Sequence, residues 1–176
     1  MNSIIPTDYD KLIKFAKSCS ATIPNKIKEI RTGYDKLGKP EQIYFQTTTG
    51  GEFNFYKSLV KQYDVHKTPI VSPLHPSGIL SYKYKLRDIE YVNNDTIYKV
   101  EISPRSVGTS TLEGYLWILG GEWVLTKLEL KMKKGNLKKY DNFSINQQFE
   151  KIDSFWVLKR QSFEYDTKYM KETVKG

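Results

Sequence analysis

Leu80-Ser81-Tyr82-Lys83-Tyr84-Lys85-Leu86 alternates apolar and polar side chains, and the same alternation returns run after run almost to the C-terminus. A period of two is the signature of an extended strand with one buried face. Leu80, Tyr82, Tyr84 and Leu86 would share one side, with Ser81, Lys83 and Lys85 on the other. Turn signals separate the runs, which predicts an antiparallel β-meander with one oily and one basic face.

Working outward, the pattern predicts strands over Ile79 to Leu86, Thr96 to Ser103, Leu112 to Leu119, Trp123 to Met132, Phe143 to Ile152 and Phe155 to Tyr165. Asn93-Asn94-Asp95, Gly120-Gly121 and Gly135-Asn136 supply the turns, because these residues accept positive φ. Gly120-Gly121 reads as a two-residue hairpin. Leu112 to Leu119 is apolar on both faces and should be covered on both sides, whereas Phe143, Ile145, Gln147 and Phe149 alternate with Asn142, Ser144, Asn146 and Gln148, which leaves one face wet.

Residues 1–64 read as a helical part with a short strand, and 65–176 as the sheet, the whole forming one domain. Thr7 and Asp10 resemble a capping box, and Tyr9, Leu12, Ile13 and Ala16 follow at helical spacing, so a helix is expected from about Asp8 to Ser18. Between Pro24 and Pro40, Ile27, Ile30, Tyr34 and Leu37 would line a helix, while Ile30, Thr32 and Tyr34 would line a strand ending at Gly38. The helix is favoured. Ile43-Tyr44-Phe45 reads as a short strand ended by Gly50-Gly51. Phe53, Phe55, Tyr56, Leu59, Val60 and Tyr63 form a broad helical stripe, wide enough to pack on a sheet. Three prolines between Thr68 and Pro76 predict an extended connector. The fold class expected is therefore α+β, mainly β: a curved half-barrel meander with helices on its concave face.

With 39% hydrophobic and 14% aromatic residues in 176, the composition excludes a disordered chain. No apolar run is long enough for a membrane-spanning helix. Met1 to Pro6 has neither a basic nor an apolar signal region, which suggests a cytosolic protein or a piece of a longer exported one. Cys19 is the single cysteine and reads as a small apolar side chain. The formal charge of +8 favours acidic partners without choosing among them. Lys131, Lys133, Lys134, Lys138 and Lys139 form the densest cluster, around Gly135-Asn136, and read either as a solvated turn or as a basic rim.

Catalytic signatures are missing. His66 and His75 have no metal-ligand spacing with each other, with Cys19 or with a carboxylate motif. No nucleophile elbow or phosphate-binding glycine loop occurs. Asp88 and Glu90 read as surface charges in a turn region. Tyr82-Lys83-Tyr84-Lys85 could suggest a stacking platform for single strands, but a strand sends its tyrosines and lysines to opposite faces, so nucleic acid is not expected as a partner. No enzyme activity, cofactor or metal is expected.

Glu52-Phe53-Asn54-Phe55-Tyr56-Lys57-Ser58-Leu59, Pro69-Ile70-Val71-Ser72-Pro73-Leu74 and Tyr82-Lys83-Tyr84-Lys85-Leu86 resemble the middle domain of Gram-negative envelope proteins of unknown function. In those proteins a carboxypeptidase-regulatory-like domain precedes this region and an outer-membrane β-barrel follows it. Ile102-Ser103-Pro104, Gly114-Tyr115-Leu116-Trp117-Ile118 and Trp123-Val124-Leu125 fit in order, so the resemblance runs from about Pro24 to the end. The strand order also looks like the half-barrel of LolA/LolB-type lipoprotein carriers. The resemblance implies a location on the periplasmic side of the outer membrane, as part of a longer exported protein. It also implies a non-catalytic role: binding a lipid or lipoprotein acyl group, or acting as a spacer or docking module that positions a barrel partner. A ligand cavity would then be bounded by Tyr84, Val100, Leu116, Ile118, Leu128 and Ile145, with the lysine cluster on its rim.

Overall fold

Strand after strand of alternating β-branched, aromatic and polar residues folds into an open antiparallel sheet. The structure is a computed structural model and describes residues 53–63, 65–106, 110–132, 137–138, 140–167 and 170–175. Two short strands come first, β1 (Leu59–Val60) and β2 (Ile70–Val71), then a single helical turn, α1 (Gly78–Ser81). The long strands follow: β3 (Tyr82–Val92), β4 (Asp95–Pro104), β5 (Leu112–Leu119), β6 (Val124–Met132), β7 (Tyr140–Ile152), β8 (Phe155–Thr167) and β9 (Met170–Lys175). Strands β3 to β9 lie side by side in chain order, all antiparallel. Among the described residues no pairing joins β3 to β9, so the sheet is not a closed barrel.

The register lines up side chains in rows. One row runs Leu86, Val100, Leu116, Leu128, Gln147, Gln161, and the next runs Tyr84, Ile102, Gly114, Leu130, Ile145, Phe163. These rows define an inner, apolar face. The outer face carries Lys85, Glu101, Tyr115, Glu129, Asn146 and Ser162 in one row, and Lys99, Trp117, Lys127, Gln148 and Arg160 in another. It is mixed in charge rather than basic. Arg87 pairs with Glu101 at 2.5 Å and Lys127 with Glu129 at 2.6 Å, exposed contacts worth about 0–1 kcal/mol each. Trp117 is held between two ammonium groups, with Lys127 Nζ 4.4 Å and Lys99 Nζ 5.0 Å from its ring centre.

Several expectations change. The stripe from Phe53 to Tyr63 is not a helix. Asn54 Oδ1 accepts the Tyr56 N–H at 3.0 Å, and the Ser72 hydroxyl donates to the Phe55 carbonyl. Val60 then pairs with Ile70 in the β1–β2 ribbon. Local side-chain bonding and long-range pairing override the helical period here. Phe53, Phe55 and Val60 are still buried, but Leu59 is 43% exposed. The described residues between 53 and 78 thus cover the inner face without a packed helix. The helix over Asp8 to Ser18, the segment Pro24 to Pro40, the strand at Ile43-Tyr44-Phe45 and Cys19 lie outside the described residues.

The first long strand begins at Tyr82, because Ile79, Leu80 and Ser81 belong to α1, and Leu80 is 82% exposed instead of facing the core. Asp88 and Glu90 lie within β3 and not in a turn. The hairpin at Gly120-Gly121 has a four-residue loop, since Leu119 pairs with Val124. Trp123 adopts φ 54° in this loop, and its ring stacks on Tyr98 with centres 5.7 Å apart and planes 4° off parallel. A Cβ on Gly120 would come within 2.7 Å of Tyr98, so the glycine is what lets the two rings close over the turn. The two-residue loops are Asn93-Asn94 and Asp153-Ser154, each opened by a residue with φ near 55° (Asn93 55°, Asp153 54°). Strand β9 adds a seventh member to the predicted six-strand order.

Candidate binding face

The inner face is divided into a covered half and an open end. In the covered half, Phe53 packs on Phe143 and Phe163 at ring distances of 5.9 and 5.4 Å, and its carbonyl accepts from Gln147 Nε2 at 2.8 Å. Tyr82 donates its hydroxyl to the Val71 carbonyl at 2.6 Å and accepts the Leu112 N–H at 3.1 Å. Burial raises the Tyr82 phenol well above its ordinary pKa, a backbone hydrogen bond from Leu112 only partly opposing it. The phenol therefore stays neutral and works as a clamp. Tyr84 likewise donates to the Pro73 carbonyl at 2.8 Å.

The cavity candidates Val100, Leu116, Ile118, Leu128 and Ile145 are all buried on this face and belong to one continuous apolar core, with Tyr84 half-buried against it. Tyr84, Val100, Leu116, Leu128 and Ile145 fall in the two adjacent rows, and Ile118 pairs with Tyr98 one step further along. Of the five lysines expected on the rim, Lys131 and Lys138 are described. Lys131 is exposed, with its side chain on the outer face opposite Ser144. Lys138 is exposed in the connection between β6 and β7, where its backbone N–H donates to the Val65 carbonyl at 3.0 Å. Lys133, Lys134 and Lys139 lie outside the described residues, as does Gly135-Asn136.

Toward the hairpin tips the cover ends. In an antiparallel meander alternate turns share one end of the sheet, so the tips at Asn93-Asn94, Gly120–Trp123 and Asp153-Ser154 gather together. On the inner face beside them, Leu86, Ile89, Tyr91 and Leu158 are exposed, Tyr91 to 80%. Tyr98, Trp123 and Trp156 are half-buried next to them. Glu122, in the β5–β6 loop, accepts from Lys151 Nζ at 2.6 Å and from Trp156 Nε1 at 2.9 Å. These bonds hold its carboxyl below the usual carboxylate range, the lysine bond contributing most. Sequence reasoning missed this open end. Its signal was present in the apolar residues of β3 beyond Leu86, which the predicted strand excluded.

His66 is buried. Its Nδ1 lies 2.7 Å from the Thr68 carbonyl and so carries the proton, and among the described residues Nε2 has no hydrogen-bond partner. Desolvation lowers its pKa below the ordinary 6.5, the backbone bond to Thr68 opposing this and Lys67 adding to it. A base with a depressed folded pKa binds fewer protons folded than unfolded just below pH 6.5, so stability present at neutral pH declines on acidification through that window. The urea midpoint should therefore fall as pH drops below about 6.5, and His66→Gln should remove that component of the slope. His75 bonds Ser77 Oγ at 2.8 Å within its turn. Among the described residues no three His, Cys, Asp or Glu side chains are grouped to hold a metal.

No curated protein and no solved structure matches the chain. A family model does match, over residues 13–176, which is most of the sequence. The chain belongs to the family of unknown function DUF5686.

Proposed function

We propose that this chain is a non-catalytic binding module on the periplasmic side of the outer membrane, within a longer exported protein, and that it holds a lipid or lipoprotein acyl group on its inner face. The half-barrel of lipoprotein carriers is the shape this reading assumes. The observation that carries it is the open end: Leu86, Ile89 and Tyr91 on β3 and Leu158 on β8 stay exposed on the inner face, while Tyr98 and Trp123 pack against the buried core. Contiguous exposed apolar surface marks an interaction site more often than scattered single residues do. Under this reading an alkyl chain would gain about 25 cal/mol per Å² of surface buried. It would lie across the open end, with Val100, Leu116, Ile118, Leu128 and Ile145 as the floor behind it.

The three tryptophans supply the test. Trp123 and Trp156 stand at the open end, whereas Trp117 lies on the outer face among lysines. A bromine-labelled fatty acid should quench the fluorescence of the native chain saturably, and a Trp123→Phe/Trp156→Phe variant, with Trp117 alone, should not be quenched. Equal quenching of both would mean adsorption elsewhere. No saturable quenching would leave the second reading, a spacer or docking module that positions a barrel partner, which the filled, covered half of the sheet favours.

A further inference from the structure

Strand β3 is an unusual edge. It is eleven residues long, contains neither proline nor glycine, and pairs only with β4 among the described residues. Every residue from Lys85 to Val92 is exposed. Edge strands are ordinarily blunted by charged side chains, by a bulge, by proline or by shortness, and β3 has the charges and the bulge but neither of the others. Here the outward-facing charges change sign along the strand: Lys83 and Lys85 precede the bulge at Arg87, and Asp88 and Glu90 follow it. None of these four side chains has an ion-pair partner among the described residues. Arg87 itself is engaged by Glu101.

We propose that β3 is a self-pairing edge at which two copies of this chain join antiparallel across a two-fold axis. A two-fold contact places residue i opposite j and j opposite i. With the axis between Leu86 and Arg87, Lys85 faces Asp88 of the second copy and Lys83 faces Glu90 of the second copy, each pair occurring twice. On the inner face the half-buried Tyr84 meets Ile89 of the second copy, and the contact stops short of Tyr82, which is fully buried and whose carbonyl accepts from Arg105 Nε at 2.8 Å.

The bulge makes this register consistent. Opposed residues in a ladder must point to the same face. In an unbroken strand Lys85 and Asp88 would point to opposite faces, but the register shift between Leu86 and Asp88 puts both on the outer side, opposite Glu101 and Lys99. The charges that would repel a strand of uniform sign therefore attract a second copy. The occupant is a copy of this chain because the complement of β3's charge pattern is β3 reversed.

The test uses the 176-residue chain in sedimentation equilibrium, with two variants. Lys83→Glu/Lys85→Glu makes all four outward-facing positions acidic, and Asp88→Lys/Glu90→Lys makes all four basic, with Arg87 kept on Glu101 in both. Because Glu101 and Lys99 stand opposite two of these positions on β4, thermal melting first confirms that each variant folds. The native chain should form a dimer. Each variant alone should dissociate about tenfold more readily, since like charges now oppose one another at four places. The equimolar mixture should recover a heterodimer. A native chain that is monomeric at its highest soluble concentration overturns the proposal. So does a dimer that neither variant weakens, or a mixture that stays monomeric.

Discussion

Replacing Gly114 by valine is expected to cost about 2–6 kcal/mol, the sum of backbone strain and overpacking at about 1–3 kcal/mol each. Gly114 sits in the middle of β5 with φ 144°, a conformation L-residues rarely adopt. It pairs with Ile102 on one side and Leu130 on the other. A Cβ added there would overlap the Glu129 carbonyl oxygen, so β6 would have to move away from β5. Neighbouring ladders β4–β5 and β6–β7 both depend on those strands. Urea unfolding followed by far-UV circular dichroism checks this. A Gly114→Ala variant, with less bulk but the same Cβ, should lose a large part of the same stability. A shift within 0.5 kcal/mol, the usual effect of a surface substitution, would contradict the close approach.

Phe143→Ala should be the costliest core truncation, at about 3–5 kcal/mol. Its ring contacts Phe53, Tyr140, Phe163 and Tyr165 with centre distances from 5.2 to 5.9 Å, and it is fully buried. Removing it takes away the ring that joins the covering segment to β7 and β8. Leu59→Ala is the contrasting control. An isolated amphipathic-helix reading makes Leu59 a core residue, yet on the β1–β2 ribbon it points to water, and its loss should stay within about 0.5 kcal/mol. Chemical denaturation of the two variants side by side separates the two arrangements of residues 53–63.

The sheet was legible because its signal is local and repeated. Strands β5, β6, β7 and β8 carry several alternations each, and the resulting rows brought Val100, Leu116, Leu128 and Ile145 into one core, as their positions in the alternation imply. What escaped depends on partners distant in sequence. Phe53 to Tyr63 has a helical period, but Ser72 and Ile70 capture its backbone. The β5–β6 loop is four residues long because Trp123 finds Tyr98, a contact no turn rule contains. Charge was misjudged for the same reason: Lys83 and Lys85 are visible in the text of β3, while Glu101, Glu113 and Glu129 reach the same face only through strand pairing. The open end of the inner face went unseen because β3 runs on past Leu86 through a bulge that interrupts the alternation.

The clasp around Glu122 has a mechanical meaning. The β6–β7 ladder ends at Lys127 and Gln148, so beyond that point, among the described residues, no main-chain rungs stitch the two hairpins together. From there to the tips the sheet is a forked seam, fastened by the Glu122 carboxylate holding Lys151 and Trp156. A hasp made of side chains opens by rotation about single bonds, without unzipping a ladder. The fork could therefore part to admit something between its prongs and shut again while the sheet behind it stays whole.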